Sequence, residues 1–319
     1  MPVRVRFENL RPLYDYWGNE IRRHFQLETL AASTDALIRQ QDPFILPSVR
    51  RAMGASPITH LRFSLVQESY HQLVFKLTAT NANKTEGAFA FIVAKKEGET
   101  SAITEISHKN LRVAHGRAPE DVVQPLEGGR IMLLASRRAR QRPRFIYAYV
   151  AQWSEGFREL GVDRSLHFFV NVVPHLLFSD KQTDRLKGRL VALLTKLYDP
   201  VKRECIEVPQ IASGDVLVGR PGKSGDVPRV KLFTCRRLVR NVAPARFLHN
   251  LAAAEWEWGS GTVRLLPSDP EITWAALTQV IGVDAARQWA ISYREAVVSG
   301  RYPERPTLPV SFLERVGRP

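Results

Sequence analysis

The spacing of hydrophobic and polar residues changes along this chain of 319 residues, and the change falls near Trp153. Before that residue, several runs alternate between apolar and polar positions, which is typical of β-strands with one buried face. LRFSLVQESYHQLVFKLTATN at 61–81 predicts two strands or one bent hairpin, and GAFAFIVAKKEG at 87–98 predicts a further strand. With VVQPLEGGRIMLLAS and RFIYAYVAQW, these runs predict an antiparallel sheet of about five strands and a helix over 101–115.

The N-terminal 55 residues follow a helical spacing instead. Apolar side chains recur there every three or four residues, which predicts one hydrophobic helix face. The residues that define this face are Leu10, Tyr14, Trp17, Ile21 and Phe25. We therefore expect residues 1–55 to form a helical extension packed on the main body.

The part after Trp153 is rich in long apolar and amphipathic segments. SLHFFVNVVPHLLF at 165–178 and DRLKGRLVALLTKLYD at 184–199 predict two apolar helices, and three further helices are predicted over 245–258, 272–282 and 284–300. The chain is thus predicted to be α+β, with a sheet-containing region at 56–152 and a mainly helical region at 153–319.

Composition adds few constraints to this prediction. Hydrophobic residues make up 44% of the chain and charged residues 24%, as in an ordinary globular protein. No apolar run approaches the roughly 20 residues that span a bilayer, and the charged start MPVRVRFENL does not resemble a signal peptide. A cytoplasmic location is the resulting expectation.

Cys205 and Cys235 are expected to be reduced thiols, and their spacing excludes a paired-cysteine zinc site.

The formal net charge of +14 raises the question of an acidic partner. Two short segments concentrate arginines, and the first is predicted to be an exposed hairpin loop. Its members are Arg137, Arg138, Arg140, Arg142 and Arg144, and the second segment holds Arg236, Arg237 and Arg240. The distribution indicates either a solvated surface or a contact with an anionic partner such as nucleic acid.

Two motifs carry candidate chemistry. VAKK at 93–96 closes a predicted strand with a lysine, and Ser-Gly-Asp at 213–215 sets Asp215 in a turn between two short β-like segments. With the segment YVAQWSEGFREL between the sheet and the helices, the order of elements over about residues 60–300 resembles the protein-kinase-like superfamily. That group includes aminoglycoside phosphotransferases and related small-molecule kinases.

The resemblance implies a bilobal protein-kinase-like fold, with a small antiparallel-sheet N-lobe and a mainly helical C-lobe. It implies that Ala94 and Lys96 contact ATP, that Glu105 on the following helix orients Lys96, and that Asp215 is the catalytic base. Lys95 takes the place of Lys96 if the strand register slips by one. The Ser-Gly-Asp run is also an ordinary turn signal.

The motifs depart from the family pattern where it handles phosphate and magnesium. The turn in LVQESYHQLVFKL contains no glycine, and Glu68 there adds negative charge opposite a triphosphate. The asparagine that the family carries after its catalytic Asp is absent, and Thr234, Cys235 and Arg236 stand at its Asp-Phe-Gly triplet. Asp226 is the remaining candidate for Mg²⁺ ligation, since hard cations prefer carboxylate oxygens.

Three hypotheses follow. The favoured one is a degenerate kinase-like protein that binds a nucleotide or a protein and has little or no phosphotransfer. The second is an active small-molecule kinase of the aminoglycoside or sugar type, with Asp215 as the base, Lys96 on the phosphates and Asp226 on the metal. The third is a basic nucleic-acid-binding protein that uses the two arginine segments.

Overall fold

The computed structural model describes residues 3–8, 27–54, 56–68, 71–134, 144–162, 168–170, 176–211, 213–219, 229–258 and 261–302. Two compact units are present. The first comprises Met1–Arg112 and Val123–Ser154, and the second comprises Val113–Val122 and Glu155–Pro319. The predicted helix face from Leu10 to Phe25 lies outside the described residues.

The first unit is built on a six-stranded sheet. Its strand order is β1-β2-β3-β4-β6-β5, and it is antiparallel except for β1, which pairs parallel to β2. The strands are β1 Arg4–Glu8, β2 Ile58–Glu68, β3 Gln72–Asn81, β4 Glu86–Ala94, β5 Pro125–Leu133 and β6 Arg144–Gln152. The predicted antiparallel sheet is therefore present, with β1 added at its edge.

Alternation along the strands decides which side chains enter the core. On β2, Leu61, Phe63 and Leu65 are buried while Arg62 between them is exposed. Successive strand residues point to opposite faces, so this pattern buries one side of the sheet. Helices α1 Leu27–Gln41 and α2 Ile45–Met53 contribute to the same hydrophobic core.

Helix α2 begins at a well-defined cap. The carboxylate of Asp42 accepts hydrogen bonds from the backbone N–H groups of Phe44, Ile45 and Leu46 at 2.9, 2.7 and 2.5 Å. These are among the amides that a helix start leaves without intrahelical partners. The sequence Asp-Pro-Phe therefore starts the helix, which places buried Ile45 and Val49 in the core.

Helix α3 (Glu99–Arg117) follows β4, close to the predicted 101–115, and anchors on the sheet through His108. The Tyr147 hydroxyl donates to His108 Nδ1 at 2.8 Å, and His108 Nε2–H donates to the Leu126 carbonyl at 2.8 Å. The imidazole also stacks on Tyr149, with 4.6 Å between ring centroids. Burial raises the pKa of Tyr147 to about 12, so its hydroxyl stays protonated and able to donate. Both ring nitrogens are thus satisfied in the neutral imidazole.

The second unit combines four helices with a five-stranded sheet. The sheet order is β12-β11-β7-β8-β9, and two further two-stranded ladders pair β10 with β13 and β14 with β15. The helices are α4 Asp180–Lys196, α5 Pro244–Ala253, α6 Pro270–Ile281 and α7 Val283–Val298. The strands are β7 Phe157–Val162, β8 Phe168–Val170, β9 Leu176–Leu177, β10 Cys205–Ile206, β11 Val216–Gly219, β12 Val230–Leu232, β13 Leu238–Val239, β14 Glu255–Trp258 and β15 Gly261–Arg264. The predicted α+β class is confirmed, with the antiparallel-rich sheet N-terminal and these helices C-terminal.

Two predicted helices differ from the structure. The segment 165–178 contains strands β8 and β9, and the helix predicted over 245–258 ends at Ala253, before strand β14. The first segment is mostly apolar, and such a run suits a buried strand as well as a helix. The second ends in Glu-Trp-Glu-Trp, whose alternation suits a strand. Aromatic and β-branched residues such as Phe168 and Val170 favour the strand. None of the helices described is long and apolar enough to cross a membrane.

Gly128 packs against the cluster formed by His108, Tyr147 and Tyr149, and this packing leaves no space for a side chain. A Cβ atom there would lie 2.6 Å from the Tyr147 hydroxyl and 2.8 Å from His108 Nδ1. We expect Gly128→Ala to lower the free energy of unfolding by about 1–3 kcal/mol, the usual range for overpacking. Urea denaturation followed by circular dichroism measures this. The matched control is Gly116→Ala in α3, where nothing lies within 4 Å of the added Cβ and stability should hold or rise.

The same cluster makes stability depend on pH. Burial lowers the pKa of His108 below its ordinary value of 6.5, so the fold favours the neutral ring. Stability is therefore complete above pH 6.5 and declines as pH falls toward the folded-state pKa, by at most about 1.4 kcal/mol per pH unit. Unfolding midpoints between pH 8 and pH 5 test this. His108→Gln should reduce the dependence of stability on pH. An unchanged dependence would mean that other groups cause it.

Candidate functional site

The VAKK run ends strand β4 and directs Lys95 into the protein. Ala94 is the last residue of β4 and is buried. The Lys95 ammonium lies 3.0 Å from the carboxylate of Glu68, and their side chains are 3% and 0% exposed. Lys96 follows as a half-buried residue. Of the two lysines that the sequence left open, Lys95 is the one held inside.

Glu68 therefore has a role that sequence reasoning missed. The sequence pattern presents it as a charge that repels a triphosphate, whereas in the structure it neutralises Lys95. Two charges without solvent exposure are stable only as a pair, because removing either leaves the other desolvated and unpaired. A carboxylate in the turn where the family carries glycines was the available signal.

Glu105 lies on α3, as predicted, and contacts basic residues of the first unit. Its carboxylate accepts from Lys109 at 2.7 Å and lies 3.6 Å from Arg130. The hydrogen bond from Lys109 is the main cause that lowers the pKa of Glu105. The proposed pairing of Glu105 with Lys96 stays a prediction.

Asp215 lies in the second unit, at the end of a short 3-10 helix (Ser213–Asp215) that runs into β11. Strands β11 and β12 are antiparallel neighbours. As a result the Asp215 carbonyl accepts from the backbone N–H of Phe233 at 2.8 Å and of Thr234 at 3.3 Å. The backbone thus brings Asp215 next to the Thr234-Cys235-Arg236 segment, 19 to 21 residues later in the chain.

The carboxylate of Asp215 is buried in an ion pair. Arg236 donates to its Oδ1 at 3.0 Å, and the Asp215 side chain is 5% exposed. Gly214 before it lies close to Glu159, since a Cβ would lie 2.6 Å from a carboxylate oxygen and the Glu159 side chain would have to move. Close packing therefore favours the glycine of the Ser-Gly-Asp turn.

The Thr234-Cys235-Arg236 segment beside Asp215 does not supply ligands for a magnesium ion. Thr234 contributes a neutral hydroxyl, and burial raises the pKa of Cys235 to about 12, which keeps its thiol protonated. The Arg236 guanidinium already contacts the carboxylate and repels a second cation. Mg²⁺ requires hard oxygen ligands in octahedral geometry. No group of three His, Cys, Asp or Glu suited to a metal occurs among the described residues, and Asp226 lies outside them.

Both cysteines, Cys205 and Cys235, are buried free thiols, as expected from the sequence.

A second buried charge network holds the segment that leads toward Asp215. Arg117, at the end of α3, donates to the Leu197 carbonyl at 2.8 Å and pairs with Glu204. Arg240 donates to the same carboxylate at 2.8 Å. The hydrogen bond from Arg240 is the first cause that holds the pKa of Glu204 below its ordinary value. Sequence reasoning did not identify this network, because its members are 36 or more residues apart.

The arginine segments are described only in part. Arg137, Arg138, Arg140 and Arg142 lie outside the described residues, and Arg144 begins β6 and pairs with Glu97 at 2.8 Å. The three arginines of the second segment each pair with a carboxylate of their own unit. Those pairs are Arg236 with Asp215, Arg237 with Glu207 and Arg240 with Glu204.

Comparisons with known proteins provide little further information. No protein-family model and no curated protein matches the chain. Among solved structures, the ethanolamine kinase of Plasmodium vivax aligns over 99% of this chain and 96% of its own, with 9% sequence identity and a TM-score of 0.41. A score of this size does not establish a shared fold. The α+β class therefore rests on the strands and helices described above.

The Asp215–Arg236 pair leads to a stability prediction. Arg236→Ala leaves a buried carboxylate without its guanidinium, so we expect the free energy of unfolding to fall by about 2 kcal/mol, reduced from a fully buried pair because Arg236 is partly exposed. Arg237→Ala is the matched control. The Arg237 side chain is 66% exposed in its pair with Glu207, so its loss should cost less than the loss of Arg236, about 1 kcal/mol or below. Denaturant titration compares the two, and equal losses would show that the Asp215 pair is not a structural contact.

Proposed function

We propose that this protein is a degenerate protein-kinase-like protein that acts by binding a nucleotide or a protein partner, with little or no phosphoryl transfer. The order of its elements supports the part of the proposal that calls it protein-kinase-like. Five antiparallel strands, β2 to β6, carry helix α3 after the third of them. A short connector at 153–156, further strands and helices, and a hairpin bearing Asp215 follow.

The buried ion pair between Asp215 and Arg236 is the main observation in favour of little or no phosphoryl transfer. Phosphoryl transfer depends mainly on cations and a base positioned around the phosphates. Here the candidate base is engaged by a guanidinium at 3.0 Å, and the neighbouring Thr234 offers no charge to a metal. The carboxylate stabilises the fold of the hairpin instead of remaining available to a hydroxyl substrate.

The first unit supports the same conclusion. Lys95 pairs with Glu68 of the β2–β3 turn, whereas kinases pair this lysine with a glutamate of the following helix. Near the connector, the Lys76 ammonium lies 5.3 Å from the centre of the Trp153 ring. In the family, this connector holds adenine through backbone groups.

Nucleotide binding with and without magnesium tests the proposal. We expect ATP to raise the midpoint of thermal unfolding by the same small amount in excess Mg²⁺ and in EDTA, because the described groups near Asp215 do not hold the metal. A ligand at 100 times its Kd would stabilise by about 2.7 kcal/mol, so a large shift reports tight binding. Strong stabilisation that requires Mg²⁺ would count against a degenerate site.

Turnover separates the degenerate protein from an active kinase. ATP consumption should stay at background with panels of amino-alcohol, aminoglycoside and sugar acceptors, and Asp215→Asn should leave it there. Turnover that Asp215→Asn abolishes would instead establish an active phosphotransferase with Asp215 as its base. The folded state of the variant is checked by circular dichroism, since the buried Asp215 also supports the hairpin.

A further inference from the structure

A cavity of about 640 Å³ with a basic lining lies at the β1 edge of the first unit. Its lining includes four arginines and two glutamates, which leaves an excess of two positive charges. The polar lining includes Arg4, Arg6, Arg39, His60, Arg62 and Thr78, and the two carboxylates are Glu8 and Glu86. A volume of this size is within the range of small-molecule sites.

Strand pairing places like charges side by side in this cavity. In the parallel register of β1 and β2, Arg6 lies opposite Arg62 and Arg4 lies opposite His60. Neighbouring strands are about 4.8 Å apart, and like charges directly opposite each other destabilise a sheet. The β2–β3 register adds a hydroxyl beside the pair, since Thr78 lies opposite Arg62. The arrangement is unfavourable for the sheet alone and favourable around an anion.

Only part of this charge is neutralised within the protein. Arg6 pairs with Glu8 at 3.2 Å, and Arg39 pairs with Asp35 at 2.8 Å. Within the ranges that the structure describes, Arg4 and Arg62 form no ion pair with a carboxylate. With these two pairs set aside, Arg4 and Arg62 face one lining carboxylate, Glu86, which leaves one positive charge in excess.

We propose that this cavity binds a small anion carrying more than one phosphate group. Guanidinium groups donate paired hydrogen bonds to phosphate oxygens, and they do so more specifically than ammonium groups. Arg4 and Arg6 are two residues apart on β1, which separates them by roughly 6.6 Å along the strand. Basic groups at two positions along β1 can contact successive phosphates, so they suit a chain of linked phosphates better than a single phosphate. Thr78 supplies a hydroxyl donor.

The site is separate from the one behind the proposed function. Arg62 lies six residues before Glu68 on β2, a distance of roughly 20 Å along the strand, so the phosphate cavity does not include the Lys95–Glu68 pair. The cavity also lies wholly within the first unit. An anion there is bound by the protein's own cations, without a metal.

The test uses sodium tripolyphosphate, without nucleoside or magnesium, titrated calorimetrically into the full-length protein. We expect binding that weakens with added salt, and at least a tenfold loss of affinity in the double variant Arg4→Gln/Arg62→Gln. Arg189→Gln, an exposed arginine of the second unit that removes one charge, is the control and should bind as the wild type does. Absence of binding, or equal affinity in the double variant and the control, would overturn the proposal.

A second measurement guards against a variant that simply misfolds. Without any anion, Arg62→Gln should unfold at an equal or higher temperature than the wild type, because it removes the repulsion with Arg6. A lower midpoint would contradict the argument from like charges. A single-stranded RNA oligonucleotide is titrated in parallel. Loss of tripolyphosphate binding alone in the double variant supports a small anion, whereas binding of RNA without tripolyphosphate rejects it.

The ATP series described above is repeated on the Arg4→Gln/Arg62→Gln variant. If ATP stabilises the wild type but not this variant, its phosphates bind the β1 cavity. If both are stabilised equally, the nucleotide binds elsewhere, and the cavity is judged on tripolyphosphate alone. The two proposals can therefore fail independently.

Discussion

A charge that folding removes from water must find an opposite charge, because its desolvation costs several kcal/mol. Among the described residues, three ion pairs with at least one buried side chain obey that constraint and hold irregular segments. Lys95 with Glu68 closes the β2–β3 turn against the end of β4. Arg117 with Glu204 holds the loop after α4, and Arg236 with Asp215 holds the β11–β12 hairpin. Each pair fixes a segment that strand alternation or helix propensity alone would leave undetermined.

The same constraint bears on function. A phosphotransferase needs a lysine, a base and metal ligands whose charges are directed at the substrate. In this chain the buried lysine and the candidate base are both balanced by neighbours within their own units. The charges thereby stabilise the fold, and this is the basis on which we propose a binding role. Unbalanced charge is found instead at β1, where Arg4 and Arg62 border an open cavity.

Much of the fold could be predicted from the sequence, because its signals are local. The strands β2, β3, β4 and β6 and the helices α3, α4, α6 and α7 lie close to the predicted positions. Alternation is clear on β2, whereas β4 and β6 are buried on both faces along most of their length. The predictions were wrong at β8 and β9, where apolar residues follow one another without a clear period. They were also wrong at β14, where the alternating Glu-Trp-Glu-Trp run follows closely on helix α5. The edge strand β1 was also missed. Its RVRFE sequence is short, and only pairing with β2 makes it a strand.

The candidate site was predictable in its residue types and not in its contacts. Asp215 and the Thr234-Cys235-Arg236 segment could be named from the sequence, yet their proximity depends on the β11–β12 register. Glu68, Arg236 and Glu204 could not be recognised as partners of buried charges, because an ion pair joins residues by distance in space.

By itself, the sequence determined the α+β class, the two reduced cysteines and the basic balance, since composition and periodicity are properties of the chain that survive any packing. Tertiary structure alone decided that Lys95 is buried instead of Lys96, that Arg236 neutralises Asp215, and that Arg6 stands beside Arg62. The physical reason is that electrostatic energy depends on the distance between charges and on their exposure to water. Both are set only when strands pair and the core closes.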